Sequence, residues 1–68
     1  GGKPVFLEEE AFERIIDYFD DLEEFSKALE AAETSITYFP YSSSLLLRKA
    51  DVLISTQKYN EAMRVLAQ

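Results

Sequence analysis

Acidic side chains are the residues of this chain that come closest to a chemical constellation. Asp17 and Asp51 stand 34 positions apart, and Glu8-Glu9-Glu10, Asp20-Asp21 and Glu23-Glu24 form clusters. Paired carboxylates serve as general acid and base when their surroundings drive their pKa values apart. Clustered carboxylate oxygens are the donors calcium prefers. The rest of the sequence supports neither chemistry. Without His, the chain lacks the commonest general base and the commonest transition-metal ligand. Without Cys, it lacks thiol nucleophiles, zinc thiolates and disulfides. No Gly-rich phosphate loop is present, and no interior Gly supplies the sharp turn of a calcium loop. The acids are read more simply as helix-start charges, capping groups and a solvated face. No catalytic, metal or cofactor residue is assigned, and the chain is read as a non-enzyme.

Charge narrows the partners. Thirteen acidic residues against seven basic ones leave a net charge of −6. A phosphate backbone needs a positive field, so nucleic acid is excluded as a partner. The longest apolar runs are as short as Leu45-Leu46-Leu47, so no membrane span is expected. At 68 residues with 47% hydrophobic and 13% aromatic content, the chain is one small ordered domain or part of one. It opens on Gly1-Gly2-Lys3 without Met and stops in mid-pattern at Met63-Arg64-Val65-Leu66-Ala67-Gln68. We read it as a piece of a longer protein.

The elements that position these residues are helices. Phe12, Ile15, Ile16 and Phe19 fall at i, i+3, i+4, i+7, the stripe of one helix. Asp21 with Glu24 three residues later has the form of a capping box that starts a second helix. Its stripe is Leu22, Phe25, Ala28, Leu29, Ala32 and Ile36, and it should end at Tyr38-Phe39-Pro40. Ser42-Ser43-Ser44 offers N-caps for a third helix. Its apolar residues Leu45, Leu46, Leu47, Ala50, Val52, Leu53 and Ile54 cover nearly the whole circumference, so several of its sides should be contacted. Ser55-Thr56-Gln57-Lys58 reads as a break, followed by a fourth helix with the stripe Tyr59, Ala62, Met63 and Leu66. The aromatics Tyr18, Phe19, Tyr38, Phe39 and Tyr41 are read as core, Tyr41 least securely because it sits beside Pro40. No stretch alternates with period two, and no sheet is expected.

The chain also matches itself at an offset of 34 residues. Phe12, Ile16 and Phe19 meet Leu46, Ala50 and Leu53. Phe25, Ala28, Leu29 and Ala32 meet Tyr59, Ala62, Met63 and Leu66. Arg14 with Arg48, Asp17 with Asp51 and Ala28 with Ala62 are identical pairs.

On these residues the sequence resembles the tetratricopeptide repeat, a 34-residue pair of antiparallel helices, over about residues 9–68. The first unit supplies Phe12, Ile16, Phe19, Phe25, Ala28 and Pro40; the second supplies Leu46, Ala50, Leu53, Tyr59 and Ala62. Ile16 departs from the family's small residue, and Glu23 and Gln57 stand where it prefers Gly. The resemblance implies an all-α fold, two antiparallel helix pairs stacked as a short right-handed solenoid of four helices. The implied division is 1–7 as a lead-in or leftover, 8–41 as the first pair and 42–68 as a truncated second pair.

In that family the first helices of successive pairs line a groove that holds peptides. The resemblance places Glu13, Asp17 and Asp20 there from the first helix, with Leu47, Asp51 and Ile54 from the third. These are acidic or apolar, so a clamp for a terminal carboxylate is not expected. A protein-interaction scaffold that takes a basic or apolar segment is. The rival reading is a purely structural or dimerising segment, since apolar character grows toward the C-terminus, as it would if a further repeat packed there. The isolated piece is then expected to form a homodimer through the third and fourth helices. Two other small helical classes fit less well. A phosphopantetheine carrier carries Asp-Ser-Leu, and this chain has no Asp-Ser pair. A helix-turn-helix reader needs a basic helix, and Arg48 and Lys49 stand beside Asp51.

Overall fold

The first two helices form where the apolar stripes place them. In the computed structural model, which describes residues 5–67, α1 spans Val5–Asp21 and α2 spans Phe25–Tyr38. Of the lead-in expected over residues 1–7, residues 1–4 lie outside the described residues and residues 5–7 are instead the first turn of α1. The turn between the helices is a Schellman stop. The Glu24 N–H donates to the Phe19 carbonyl at 2.9 Å and the Glu23 N–H to the Asp20 carbonyl at 3.0 Å. Glu23 adopts the left-handed backbone this motif requires, with φ 59°. A Glu there costs on the order of 1 kcal/mol, because its Cβ crowds the carbonyl. Asp21 therefore ends α1 and does not cap α2. Glu24 holds the N-cap position, without a side-chain capping bond.

Small residues bring α2 close to its neighbours. Ala28, Ala32 and Ser35 lie at i, i+4, i+7 and are all fully buried. The Ser35 hydroxyl is satisfied by donating to the Ala32 carbonyl at 2.7 Å. Ile16 of α1 packs into this seam, with Phe12, Phe19, Leu29, Ala31, Ile36 and Phe39 around it. α2 stops before Pro40, as expected. Ser42 then caps the third helix, its Oγ accepting from the Leu45 N–H at 3.2 Å.

α3 is where structure and expectation part. It runs unbroken over Ser43–Leu66, so the described chain has three helices, not four. The break expected at Ser55–Lys58 is absent, the second antiparallel pair is absent, and the two-pair solenoid is overturned. The boundary 42–68 therefore encloses one helix instead of a hairpin. The physical reason lies in the breakers. Residues 55–58 contain neither Gly nor Pro, and Gln57 and Lys58 favour helix. Thr56 turns its hydroxyl back onto the Val52 carbonyl at 2.9 Å, which leaves the helix intact. Ending a helix there would forfeit backbone hydrogen bonds with no Schellman stop like that at Glu23 to offset the loss.

Continuity changes what the second repeat unit does. α3 packs on the α1–α2 hairpin through Leu45 and Val52, which are 0% and 1% exposed. Leu46, Ala50 and Leu53, the counterparts of buried or half-buried residues in the first unit, are exposed. Tyr59 meets Phe25 edge to face at 5.7 Å, the last aromatic contact along the helix. Beyond it α3 overhangs the hairpin, and every residue from Gln57 to Ala67 is exposed. The identical pair Ala28 and Ala62 thus sits in opposite surroundings, one buried and one in solvent. The result is an elongated molecule, 57 × 20 × 13 Å.

The aromatic core also needs revision. Phe19 and Phe39 are half-buried, but Tyr18, Tyr38 and Tyr41 are exposed, Tyr41 almost completely. Tyr18 lies edge-on to Phe19 and Tyr38 stacks on Phe12, each on the rim of the core. A hydroxyl kept in water explains both positions.

Candidate functional site

α1 and α3 run side by side in the same direction, joined by a polar seam. Residues of α1 one turn apart supply Glu9, Glu13 and Asp17; the start of α3 supplies Ser42, Ser44 and Arg48. The Ser42 hydroxyl donates to Glu9, and the Ser44 hydroxyl donates to Glu13 at 2.7 Å. Arg48 grips Asp17 with two prongs, Nε to Oδ1 at 3.1 Å and Nη2 to Oδ2 at 3.2 Å. Glu13 lies 3.9 Å from the same guanidinium. Hydrogen bonding to Asp17 is the main cause that raises the Arg48 pKa, so its charge is fixed.

Three of the six expected groove residues, Glu13, Asp17 and Asp51, therefore gather around one cation. Glu13 and Asp17 touch Arg48, and Asp51 acts on it through its charge. Asp20 lies within the same field, facing Asp21, Asp17 and Asp51. Leu47 and Ile54 stand one turn to either side of Asp51 and are exposed. Arg48 is the residue sequence reasoning undervalued, since its role depends on α1 and α3 being parallel neighbours. Its repeat counterpart Arg14 instead makes an exposed pair with Glu10 at 3.8 Å.

Asp20 is the strained member. Its pKa is raised first by desolvation, then by Asp21, Asp17 and Asp51. Its Oδ1 is buried without a hydrogen-bond partner. It also sits in the last turn of α1, where the helix dipole disfavours an anion and no basic residue compensates. A carboxyl raised above its ordinary 3.8 binds its proton more tightly folded than unfolded. Stability then falls as pH rises through that window. Asp20→Asn is expected to raise the melting temperature at pH 7, by an amount worth less than about 1 kcal/mol. The gain should shrink as pH falls and vanish below 3.8, which thermal melts across pH will show.

Chemically, the seam is a tie. It pairs Glu13 and Asp17 with the single cation Arg48, which offsets one of their two negative charges, so the seam and its neighbours Asp20, Asp21 and Asp51 stay acidic. Among the described residues, no group of three or more acidic side chains is placed to hold a metal ion. No described helix is long and apolar enough to cross a membrane. What the geometry defines, among the described residues, is a three-helix all-α module with a polar seam, an exposed apolar face on α3 around Leu46, Leu47, Leu53 and Ile54, and further exposed apolar residues, Met63, Val65 and Leu66, on its overhang. Comparison with family models, curated proteins and solved structures gave no match.

Proposed function

We propose that the chain is a non-catalytic protein-interaction module whose contact surface is the outer face of α3. One observation carries the reading. Leu46, Leu47, Leu53 and Ile54 lie together on that face with 47–63% of each residue exposed, and Ala50 stands among them. A contiguous apolar patch on a small acidic protein marks a surface that another polypeptide covers. Asp51 at its edge gives the patch a polar rim. The groove expected between α1 and α3 contributes less than Glu13 and Asp17 suggested, because Arg48 and Ser44 already hold them.

A photo-crosslinking amino acid at position 53, with a second variant at the exposed Glu30 of α2 as reference, tests this in cells. Protein-sized adducts at position 53 and none at position 30 are expected. Equal labelling at both positions, or none at either, would overturn the reading.

A further inference from the structure

We infer that the outer face of α3 is built to pair with the same face of a second copy of this chain, antiparallel, with Ala50 at the two-fold axis. The inference rests on the interaction reading and names its partner. Its basis is a symmetry in the sequence of the face. Three positions to either side of Ala50 stand Leu47 and Leu53; four to either side stand Leu46 and Ile54; seven to either side stand Ser43 and Gln57. Spacings of three, four and seven keep a helical residue on one face. A two-fold axis across α3 reverses the helix direction and preserves each flank. Leu46 of one copy then meets Leu53 of the other, and Leu47 meets Ile54, each twice. Ser43 meets Gln57 at the ends of the seam, and Ala50 meets Ala50 at its centre.

Three further features favour this arrangement. Ala50 is the smallest residue of the face and lies where two helices must approach to about 8 Å. Between Ser43 and Gln57 the face carries no charge: its neighbours Lys49 and Asp51 point about 100° to either side of Ala50, and Lys49 is held by Glu33 of α2 at 3.9 Å. The face also lies opposite the buried Leu45 and Val52, so the α1–α2 hairpins of two copies point away from each other. A basic segment would have to leave its charges on apolar side chains here. A copy of the same helix places apolar side chains on apolar side chains, Leu46 on Leu53, Leu47 on Ile54 and Ala50 on Ala50.

Five apolar residues per copy form a small interface, so the dimer is weak and concentration-dependent. Each copy also carries −6, so repulsion opposes pairing and added salt strengthens it. A basic partner would respond to salt in the opposite direction. There is no native Cys, so single cysteines report the register cleanly.

Sedimentation equilibrium of the purified chain from micromolar to millimolar concentration is the test. The mass should rise from 7.8 kDa toward twice that value, and further at higher salt. Ala50→Cys should form a disulfide-linked dimer under mild oxidation at least about tenfold faster than Glu30→Cys. Leu47→Lys with Ile54→Lys should weaken association at least about a hundredfold while leaving helical content unchanged. A monomer at every concentration and salt, or Ala50→Cys no faster than Glu30→Cys, would overturn the pairing. If the chain stays monomeric while position 53 crosslinks to a different polypeptide, the pairing falls and the interaction module stands. If no adduct forms at all, both fall.

Discussion

Ala28→Leu is expected to unfold much of the protein, and Ala62→Leu, the same change 34 positions on, to leave it intact. Ala28 is fully buried on α2 and belongs to the cluster that includes Ile16, Ala32 and Leu45. Because it is fully buried against this cluster, three extra carbons are expected to push α1 or α3 away. Overpacking of this kind costs about 1–3 kcal/mol, and more where backbones are close. A domain this small has roughly 3–10 kcal/mol in total, so the loss is a large fraction of it. Ala62 lies on the exposed overhang of α3, where Leu is nearly as good a helix former. Its effect should stay within about 0.5 kcal/mol. Urea melts of both variants read the difference directly. Equal losses would mean that the two repeat units are packed alike, contrary to the three-helix arrangement.

Leu45→Ala and Leu47→Ala, two residues apart on one helix, should differ as sharply. Leu45 is fully buried and, with Val52, makes the α3 contribution to the core. Truncating it leaves a cavity between three helices, a loss of about 2–5 kcal/mol. Leu47 is 63% exposed on the opposite side, and its truncation should change the monomer's stability by less than about 1 kcal/mol. Melting at low protein concentration, where self-association is absent, gives both values. The contrast also separates the two roles of α3. Position 45 should govern folding, and position 47 should govern association with little effect on folding.

Much of the first half was legible from its sequence. Phe12, Ile16 and Phe19 on one stripe and Ala28 and Ala32 on the next describe the observed α1–α2 hairpin, and Pro40 with Ser42 marks the next corner. A turn between the two stripes was expected, but earlier than it occurs: the second helix was to restart at Asp21, and it starts at Phe25 behind Glu24. The Asp21–Glu24 capping box does not form, and a left-handed Glu closes the turn through backbone bonds. The second half misled because periodicity reports which residues share a face and says nothing of whether the chain turns back. Tyr59, Ala62 and Met63 repeat the pattern of Phe25, Ala28 and Leu29, yet Gln57 stays helical where Glu23 turns. Without a Gly or Pro at 55–58, local hydrogen bonding outweighs the repeat.

The candidate site was legible in part, and for a related reason. The family resemblance placed Glu13, Asp17, Asp20 and Asp51 along one groove; in the structure Glu13, Asp17 and Asp51 surround Arg48, and Asp20 feels the charges of Asp17 and Asp51. The pairing of Glu13 and Asp17 with Arg48 depends on the parallel register of α1 and α3, a tertiary fact absent from either helix alone. The all-round apolar character of α3 was visible in sequence, but which side faces the core was not. Leu45 and Val52 turn inward and Leu46, Ala50 and Leu53 outward, the reverse of what the repeat alignment implied. The symmetry about Ala50 was present throughout and becomes meaningful only once that face is known to be bare.

Everything distinctive in this molecule follows from α3 being one uninterrupted rod, and a distance between its two halves is the most direct check. Spin labels at Leu47→Cys and Val65→Cys, both exposed positions, can be measured by pulsed electron resonance with excess unlabelled chain to dilute contacts between copies. At 1.5 Å per residue, an unbroken helix separates the two backbone sites by about 27 Å. A chain that folds back at 55–58 would bring them to about 10 Å, the spacing of packed antiparallel helices. A single distribution centred near the longer distance is the predicted result, and one centred near the shorter distance would contradict the account.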